Sequence, residues 1–468
     1  MHLFAQSSIK KNFAYKSVLT LSNYMIAFIT FPYISRVLGV ERIGLVNFVD
    51  NTVGYFLLFA TMGVNLLGVR EIAAVKDNPE ERNQVFSKIL GLNLLFTTGT
   101  LLVYFILVTA LPQLNQYAVL FYIGAAKILC TAFIAEWFFT GIEDFRYITL
   151  RSLIIKMAYV AGVFLLVRTL EDYKLYFVLT VAIVILNAAV NTIYLSRFVS
   201  VRWRKLLGRE YLKQNCILGI YTIMTSMYLT FNVMYLGLVS DNMQVGYYTT
   251  AFKVYMVVLG LFSAFTNVML PRMSALLTSG EQQRFQQLVD KSFRVMCTFS
   301  IPMIACSMIL APQIIEVLSG TGYEGAITPM RIIMPAAFFV GIAQILAMQI
   351  FAPMKCDKVL FMASMIGAIV SLLLNFALIS IWQSIGSAFT LLCAEIVVTT
   401  IYWAWATRRN IVTIPFRHIG QNMALAVPCI AICRLCQYYL ENPFAIIAAA
   451  IPSAICVWKA CRLVVNIA

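Results

Sequence analysis

The sequence predicts an all-α integral membrane protein with about fourteen transmembrane helices. The 468-residue chain is 61% hydrophobic and only 12% charged, whereas soluble domains have about 25% charged residues. Apolar runs of about 20 residues, the length at which a helix crosses the hydrocarbon core, recur along the whole chain. These two observations exclude an ordinary water-soluble fold, because too little polar surface is available to cover one.

Each apolar run is interpreted as one transmembrane helix, and most of the loops between the runs are short. The predicted spans are 13–35, 43–66, 88–111, 116–139, 150–168, 174–196, 215–238, 246–270, 293–311, 328–351, 359–380, 385–407, 419–439 and 443–461. Every loop on the predicted outer side is short, so no external domain is expected.

Lysine and arginine are distributed unevenly between the two sides of these spans. One set of alternate loops holds 27 of the 35 and the other holds 5, while Lys127, Lys253 and Arg434 fall inside spans. Cytoplasmic loops of membrane proteins carry such an excess, so both termini are predicted to be cytoplasmic. The net charge of +15 is then explained by anchoring beside anionic lipid, and we expect no nucleic-acid partner.

The sequence shows no constellation of catalytic or metal-binding residues. It contains no G-x-x-x-x-G-K-[ST] loop and only two histidines, His2 and His418. Cys433 and Cys436 form a C-x-x-C pattern inside an apolar run, where small packing residues are expected rather than a redox or zinc site. We therefore predict no catalytic residues, no metal, no cofactor and no disulfide. An ATP-driven pump and a polysaccharide polymerase with a large external loop are both disfavoured.

An internal repeat appears when the chain is aligned with itself at an offset of 202 residues. The matched pairs include Gly44 with Gly246, Asn65 with Asn267, and Arg70 with Arg272. A second match after spans four and ten has an offset of 213, which indicates an insertion of about eleven residues in the loop 316–328. Two parallel repeats are typical of transporters whose substrate site lies at the repeat interface. The predicted parts are 1–209, 210–409 and a C-terminal hairpin 410–468.

Two stretches resemble the oligosaccharide flippases of the Wzx type, in the multidrug/oligosaccharidyl-lipid/polysaccharide exporter superfamily. They are Phe31-Pro32-Tyr33-Ile34-Ser35-Arg36-Val37-Leu38-Gly39, followed by Gly44, Gly63-Val64-Asn65 and Arg70-Glu71, and Trp137-Phe138-Phe139-Thr140-Gly141-Ile142-Glu143-Asp144-Phe145. The resemblance extends over nearly the whole chain. The extra hairpin also resembles the peptidoglycan-precursor flippases of the same superfamily.

This resemblance implies a V-shaped transporter with two lobes in a bacterial plasma membrane. The implied cargo is an undecaprenyl-diphosphate-linked oligosaccharide, a repeat unit of O-antigen, capsule or exopolysaccharide, which moves from the cytoplasmic to the periplasmic leaflet. The implied partners are this lipid-linked saccharide, membrane lipid, a polysaccharide polymerase and a chain-length regulator. A drug/cation antiporter of the same superfamily is the alternative that would require an acidic cation site.

Lys127 and Lys253 are the first candidates for substrate binding. A charge deep in a membrane helix is costly and is therefore a functional hypothesis, and a lysine is a suitable partner for a diphosphate. Lys253 shares a small, polar helix face with Asn267. The alternative is that either lysine extends its ammonium group to the membrane surface.

Asp50 shares a predicted helix face with Asn47 and Asn65, and it aligns with Phe252, next to Lys253, in the repeat. One hypothesis is that Asp50 and Lys253 face each other and pair when the outer side closes. The alternative is that Asp50 bonds polar groups within its own lobe.

Further polar residues complete the set of candidates. Glu395 in the middle of span twelve, together with Asp50, is a candidate for proton or sodium coupling, the alternative being a structural acid. Glu136 is expected at headgroup level near the cytoplasmic end of span four. Arg70 and Arg272 are predicted to form a cytoplasmic rim that attracts phosphate, unless they are simple topological anchors.

Overall fold

The structure, a computed structural model, describes residues 9–203, 206, 208–409, 411 and 416–467. Throughout these ranges the regular secondary structure is helical. The α-helices are α1 Ile9–Thr61, α2 Val64–Val75, α3 Pro79–Ala110, α4 Pro112–Asn115, α5 Ala118–Ile134, α6 Glu136–Gly141, α7 Phe145–Leu166, α8 Tyr173–Leu195, α9 Arg209–Val239, α10 Asn242–Thr278, α11 Gln282–Ile309, α12 Ala311–Ser319, α13 Ile327–Ile333, α14 Ala336–Gln344, α15 Asp357–Leu374, α16 Ser380–Arg408, α17 Phe416–Tyr439 and α18 Pro443–Ile467. Short 3₁₀ turns occupy Leu170–Asp172 and Glu324–Ala326, and π-helices occupy Ile345–Phe351 and Asn375–Ile379.

The predicted fold class, an all-α membrane protein of many spans, is confirmed. In the part of the chain that the structure describes, nine helices are long and apolar enough to cross a membrane, or ten if a bent pair counts as one span. Two of these runs have 44 and 52 residues, about twice the length that one crossing needs. Every predicted span falls mainly on helix, which is consistent with fourteen crossings without fixing that number.

Helix starts follow local capping chemistry. Asn78 Oδ1 accepts hydrogen bonds from the backbone N–H groups of Glu80 and Glu81, at 3.1 and 3.3 Å, directly before Pro79 opens α3. Asp144 caps α7 and Asp241 caps α10 in the same way. Each side chain satisfies a backbone donor that the first helical turn leaves without a partner.

Four positive-φ residues interrupt the helices. Gly39 (φ 67°) divides α1, Met62 (φ 43°) separates α1 from α2, Ala135 (φ 43°) separates α5 from α6, and Gln383 (φ 50°) divides α16. A positive φ is unfavourable for every residue except glycine. The last three breaks therefore need stabilising contacts, and at Ala135 these contacts form part of the site described below.

The chain divides into two compact units, Met1–Ser226 and Met227–Ala468. In the first, aromatic side chains of α3, α6 and α8 pack around Trp137 and Phe138. In the second, one core surrounds Phe293 and Phe351, and another joins α11 to the hairpin α17–α18 around Cys433. The three-part division at 209 and 409 stays a prediction.

Large apolar side chains are exposed along several spans. Ile106, Ile154 and Ile193 of the first unit are 63%, 69% and 69% exposed. Single exposed apolar residues are common on soluble proteins, but a dense array along helices of this length is the surface expected for contact with lipid tails.

We predict that Gly68→Ala lowers the stability of the first unit by about 1–3 kcal/mol. A Cβ at Gly68 would lie 2.6 Å from Cδ2 of the buried Trp137 ring, so the helix α2 would have to move away from α6. Gly99→Ala is the matched control, because no heavy atom lies within 4 Å of the added carbon. Thermal unfolding in detergent measures the stability of both variants, and equal unfolding midpoints would contradict the prediction.

Candidate functional site

Asp50 and Lys127 form an ion pair inside the first unit. Asp50 lies about 16 Å from Gly39 and about 17 Å from the end of α1, so it is near the middle of the second half of that helix. Lys127 reaches it from α5, and its Nζ lies 5.7 Å from the centroid of the Phe177 ring. The lysine side chain is 10% exposed and that of the aspartate 43%. An accessible charged carboxylate at this depth indicates a polar cavity rather than contact with lipid.

The ion pair with Lys127 corresponds to the second alternative for Asp50, a partner within its own lobe. Asp50 is bonded within its own unit, and the lysine that binds it is one of the two predicted substrate cations. Tyr159 and Tyr176 lie close enough to each other and to Asp50 to interact electrostatically. The pairing of Asp50 with Lys253 stays a hypothesis about another state.

The polar helix face that the sequence predicts around Asp50 does not extend as far as Asn65. Asn47 is half-buried on the same helix, and its backbone carbonyl accepts a hydrogen bond of 2.8 Å from Asn51 Nδ2. Asn65, however, follows the break at Met62 and belongs to α2, where it is exposed. The expectation of one continuous face from residue 47 to residue 65 is therefore wrong, because the helix does not continue through residue 62.

Two buried asparagines stabilise the helix break at Ala135. Asn93 Nδ2 donates to the carbonyl of Ala132 at 3.4 Å, and Asn191 Nδ2 donates to the carbonyl of Ile134. Both side chains are buried. Carbonyls that lose their helical partner in a membrane must be satisfied inside the protein, and these amides satisfy two of them.

A buried arginine connects the two sides of this break. Arg151 Nη1 and the Tyr147 hydroxyl both donate to Asn191 Oδ1, the latter at 2.9 Å. Arg151 Nη2 also lies 3.6 Å from Glu136 Oε1. Through Asn191 and Glu136, Arg151 therefore contacts the last residue before the break and the first residue after it. Glu136 is thus an ion-pair partner as well as a residue near the end of the fourth span.

Lys156 is a further intramembrane cation, and sequence reasoning missed it. It lies about 16 Å from the start of α7 and about 15 Å from its end, and its Nζ donates to Ser22 Oγ at 2.9 Å and to Asn23 Oδ1. The count of basic residues groups Arg151 and Lys156 with the cytoplasmic side, although both lie inside the predicted span 150–168. The structure places both within α7, which Asp144 caps. Their positions inside the predicted span were the signal that could have identified them as candidates.

The predicted residues of the second unit lie along two helices. Lys253 is half-buried on α10, and the polar face that it shares changes from buried Thr249 and Thr250 to exposed Asn267. Glu395 is only 3% exposed on α16 and takes part in none of the ion pairs found among the described residues. Its role in ion coupling stays a prediction.

A neutral polar cluster in the second unit was also not predicted. Asn232 Nδ2 donates to the Tyr248 hydroxyl at 3.3 Å and to the carbonyl of Ser387 at 3.4 Å. Ser371 Oγ donates to Asn232 Oδ1 at 3.5 Å, and Asn375 Nδ2 donates to Ser371 Oγ at 3.4 Å. These bonds connect α9, α10, α15 and α16 where the π-helix Asn375–Ile379 begins. Asparagines in the middle of apolar runs were the available signal.

The two arginines of the predicted rim have different surroundings. Arg70 Nη2 donates to Glu71 Oε1 at 2.9 Å and to Gln214 Oε1 at 2.8 Å, and the Arg70 side chain is 57% exposed. Arg272 is exposed on α10 of the second unit. A shared role of the two in attracting phosphate stays a prediction.

Comparison with known proteins gives a consistent result. The family described as polysaccharide biosynthesis protein matches residues 9–277. A protein of Escherichia coli (strain K12), assigned provisionally as an O-antigen transporter, is 25% identical over 401 residues, which are 84% of this chain and 95% of the relative.

Two solved structures have a similar fold. A lipid II flippase MurJ in an inward closed conformation superimposes with a TM-score of 0.79 over 95% of this chain and 97% of its own, at 16% identity. An inward-facing multidrug MATE transporter of the MOP superfamily gives a TM-score of 0.60 over 84% of this chain and 98% of its own, at 13% identity.

We predict that Asp50→Asn lowers stability by about 2–4 kcal/mol, since it leaves the buried Lys127 ammonium without a counter-charge. Lys127→Met should cost less, because the remaining carboxylate of Asp50 is partly accessible to water. The double variant should be more stable than Asp50→Asn alone. Thermal unfolding of the four proteins measures the coupling, and strictly additive effects would show that the two charges do not interact.

We further predict that Asn191→Leu lowers stability by about 2–4 kcal/mol, because it leaves the Ile134 carbonyl and the Arg151 guanidinium without their shared partner. Asn187→Leu is the control. Asn187 lies one turn earlier on α8, and its Nδ2 donates only within that helix, to the carbonyl of Ile183 at 2.7 Å. Unfolding midpoints that fall equally in both variants would remove the special role of Asn191.

Proposed function

The chain belongs to the polysaccharide biosynthesis protein family, and from this premise we propose that it flips a lipid-linked oligosaccharide across a bacterial plasma membrane. The proposed cargo is an undecaprenyl-diphosphate-linked repeat unit of O-antigen, capsule or exopolysaccharide, moved from the cytoplasmic to the periplasmic leaflet. The relative assigned as an O-antigen transporter and the fold of membrane exporters support this proposal.

The observation that carries the proposal is the balance of charge within the first unit. Lys127, Arg151 and Lys156 lie inside its helices, whereas the carboxylates near them are those of Asp50 and Glu136. The cations therefore exceed the acids by one. Because an unbalanced charge at membrane depth is costly, an anionic cargo would compensate for it, and a diphosphate is the anion of such a lipid-linked saccharide.

The same charges disfavour a drug/cation antiporter, the main alternative. A cationic cargo needs a carboxylate that is accessible and has no cation already bound to it. Asp50 is paired with Lys127, and Glu136 is paired with Arg151. A peptidoglycan-precursor flippase is not disfavoured in this way, because its lipid-linked cargo carries the same diphosphate.

The proposed mechanism is alternating access of the two predicted repeats, 1–209 and 210–409. The diphosphate and sugars would be held by polar residues of the helices, while the polyprenyl tail stays in lipid. Glu395 and Asp50 are the groups through which a proton or sodium gradient would act. Both termini are proposed to be cytoplasmic, and a polysaccharide polymerase and a chain-length regulator are the proposed protein partners.

We predict that the purified protein in lipid vesicles transfers an undecaprenyl-diphosphate-linked oligosaccharide between leaflets. The same saccharide on an uncharged polyprenol should not be transferred, since it lacks the anion that the cations bind. Accessibility of the saccharide to an external glycosidase, with and without a proton or sodium gradient, measures both. Absence of transfer under all conditions, together with export of a cationic dye, would replace the proposal by the antiporter function.

A further inference from the structure

Lys156 differs from Lys127 and Arg151, the other two cations of the site, in having no carboxylate partner. The ion pairs among the described residues include Lys127 and Arg151 but not Lys156. Its contacts are instead two neutral side chains of α1, Ser22 and Asn23. No carboxylate therefore neutralises the Lys156 ammonium group, which lies near the middle of a membrane-spanning helix.

The contacts of Lys156 leave hydrogen-bond donors available for an additional ligand. A lysine ammonium has three protons to donate, and two of them are used by Ser22 Oγ and Asn23 Oδ1. The Ser22 hydroxyl gives its own proton to the Leu19 carbonyl at 2.7 Å, so it only accepts from Lys156. Asn23 is exposed, and its Nδ2 makes no hydrogen bond to any residue that the structure describes. One ammonium proton and one amide group thus remain for an acceptor.

The neighbouring charges do not cancel that of Lys156. Glu136 and Arg151 both lie close enough to interact with it electrostatically, one attracting and one repelling. They also contact each other at 3.6 Å, so the repulsion by Arg151 offsets part of the attraction by Glu136. A lysine without partners inside the protein would extend its ammonium group towards the membrane surface. The Lys156 ammonium group instead binds two side chains of α1.

From these contacts we infer that Lys156 and Asn23 form an anion-binding site for the diphosphate group of the lipid-linked cargo. The inference rests on the proposed function and adds to it the residues that hold the phosphate. The Lys156 ammonium and the Asn23 amide donate to phosphate oxygens, and charge-assisted bonds of this kind are about twice as strong as neutral ones. Lys127, which Asp50 neutralises, has a smaller part in binding the anion.

The decisive variant is Asn23→Asp. It keeps the size of the side chain and the acceptor for Lys156, but it places a carboxylate against the ammonium. The protein should fold at least as stably as the wild type, because a neutral contact becomes an ion pair. The site, however, loses its net charge and the Asn23 amide donor. Asn115→Asp, the same change at an exposed residue of α4, is the matched control.

Binding is measured in detergent with geranylgeranyl diphosphate, with geranylgeraniol as the uncharged probe. We expect Asn23→Asp and Lys156→Gln to bind the diphosphate at least about tenfold more weakly, and Lys156→Arg to retain part of the affinity. Asn115→Asp should bind as the wild type does. Unchanged affinity in Asn23→Asp would overturn the site and leave Lys156 as a structural tie between α1 and α7.

Two further measurements separate this inference from the proposed function and from binding of ordinary lipid. If wild type and Asn23→Asp transfer the lipid-linked oligosaccharide equally well, the site is wrong and the flippase function stands. If the wild type binds geranylgeranyl diphosphate and Asn23→Asp does not, but the wild type transfers no lipid-linked oligosaccharide, the proposed function is wrong and the site stands. Phosphatidylglycerol and inorganic diphosphate serve as competitors, and displacement of the probe by phosphatidylglycerol at equal concentration would assign the site to a lipid headgroup and overturn the inference.

Discussion

The cost of a polar group without a partner in hydrocarbon is the constraint on which the first unit depends. Water at a protein surface satisfies charges and open carbonyls, but the membrane interior does not. The unit meets this constraint with the Asp50–Lys127 pair, the Glu136–Arg151 pair and the Asn191 amide on the Ile134 carbonyl. Lys156 is the charge that this arrangement does not neutralise, and for that reason it is informative about function.

The break of the fourth span at Ala135 shows how the same constraint shapes the backbone. A helix that passed straight through this point would need none of the polar residues around it. The positive φ of Ala135 frees carbonyls, which Asn93 and Asn191 satisfy, and Asn191 is in turn oriented by Arg151 and Tyr147. Interrupted helices at membrane depth occur where the backbone is buried in protein or lines a cavity, and they are frequent at the substrate and ion sites of transporters.

Much of the fold could be predicted from the sequence, because apolar runs of about 20 residues have one main solution in a membrane. The contacts of the site could not be predicted in the same way. Lys127 follows Asp50 by 77 residues, so their pairing depends on how α1 and α5 pack. The count of basic residues groups Arg151 and Lys156 with the cytoplasmic side, although both lie inside the predicted span 150–168, so neither became a candidate for the site. The break that moved Asn65 to another helix has a positive φ at Met62, a residue type that gives no signal of it.

The two units differ in how they treat their acids, and this bears on how transport would be driven. Asp50 and Glu136 of the first unit are partly exposed and bound to cations, whereas Glu395 of the second is almost fully buried on α16. The paired carboxylates of Asp50 and Glu136 contribute to the charge balance of the first unit. The proposed cargo site therefore depends on the charges of the first unit. Of the two acids proposed for coupling to a gradient, Asp50 is already bound to Lys127, whereas Glu395 takes part in none of the ion pairs among the described residues.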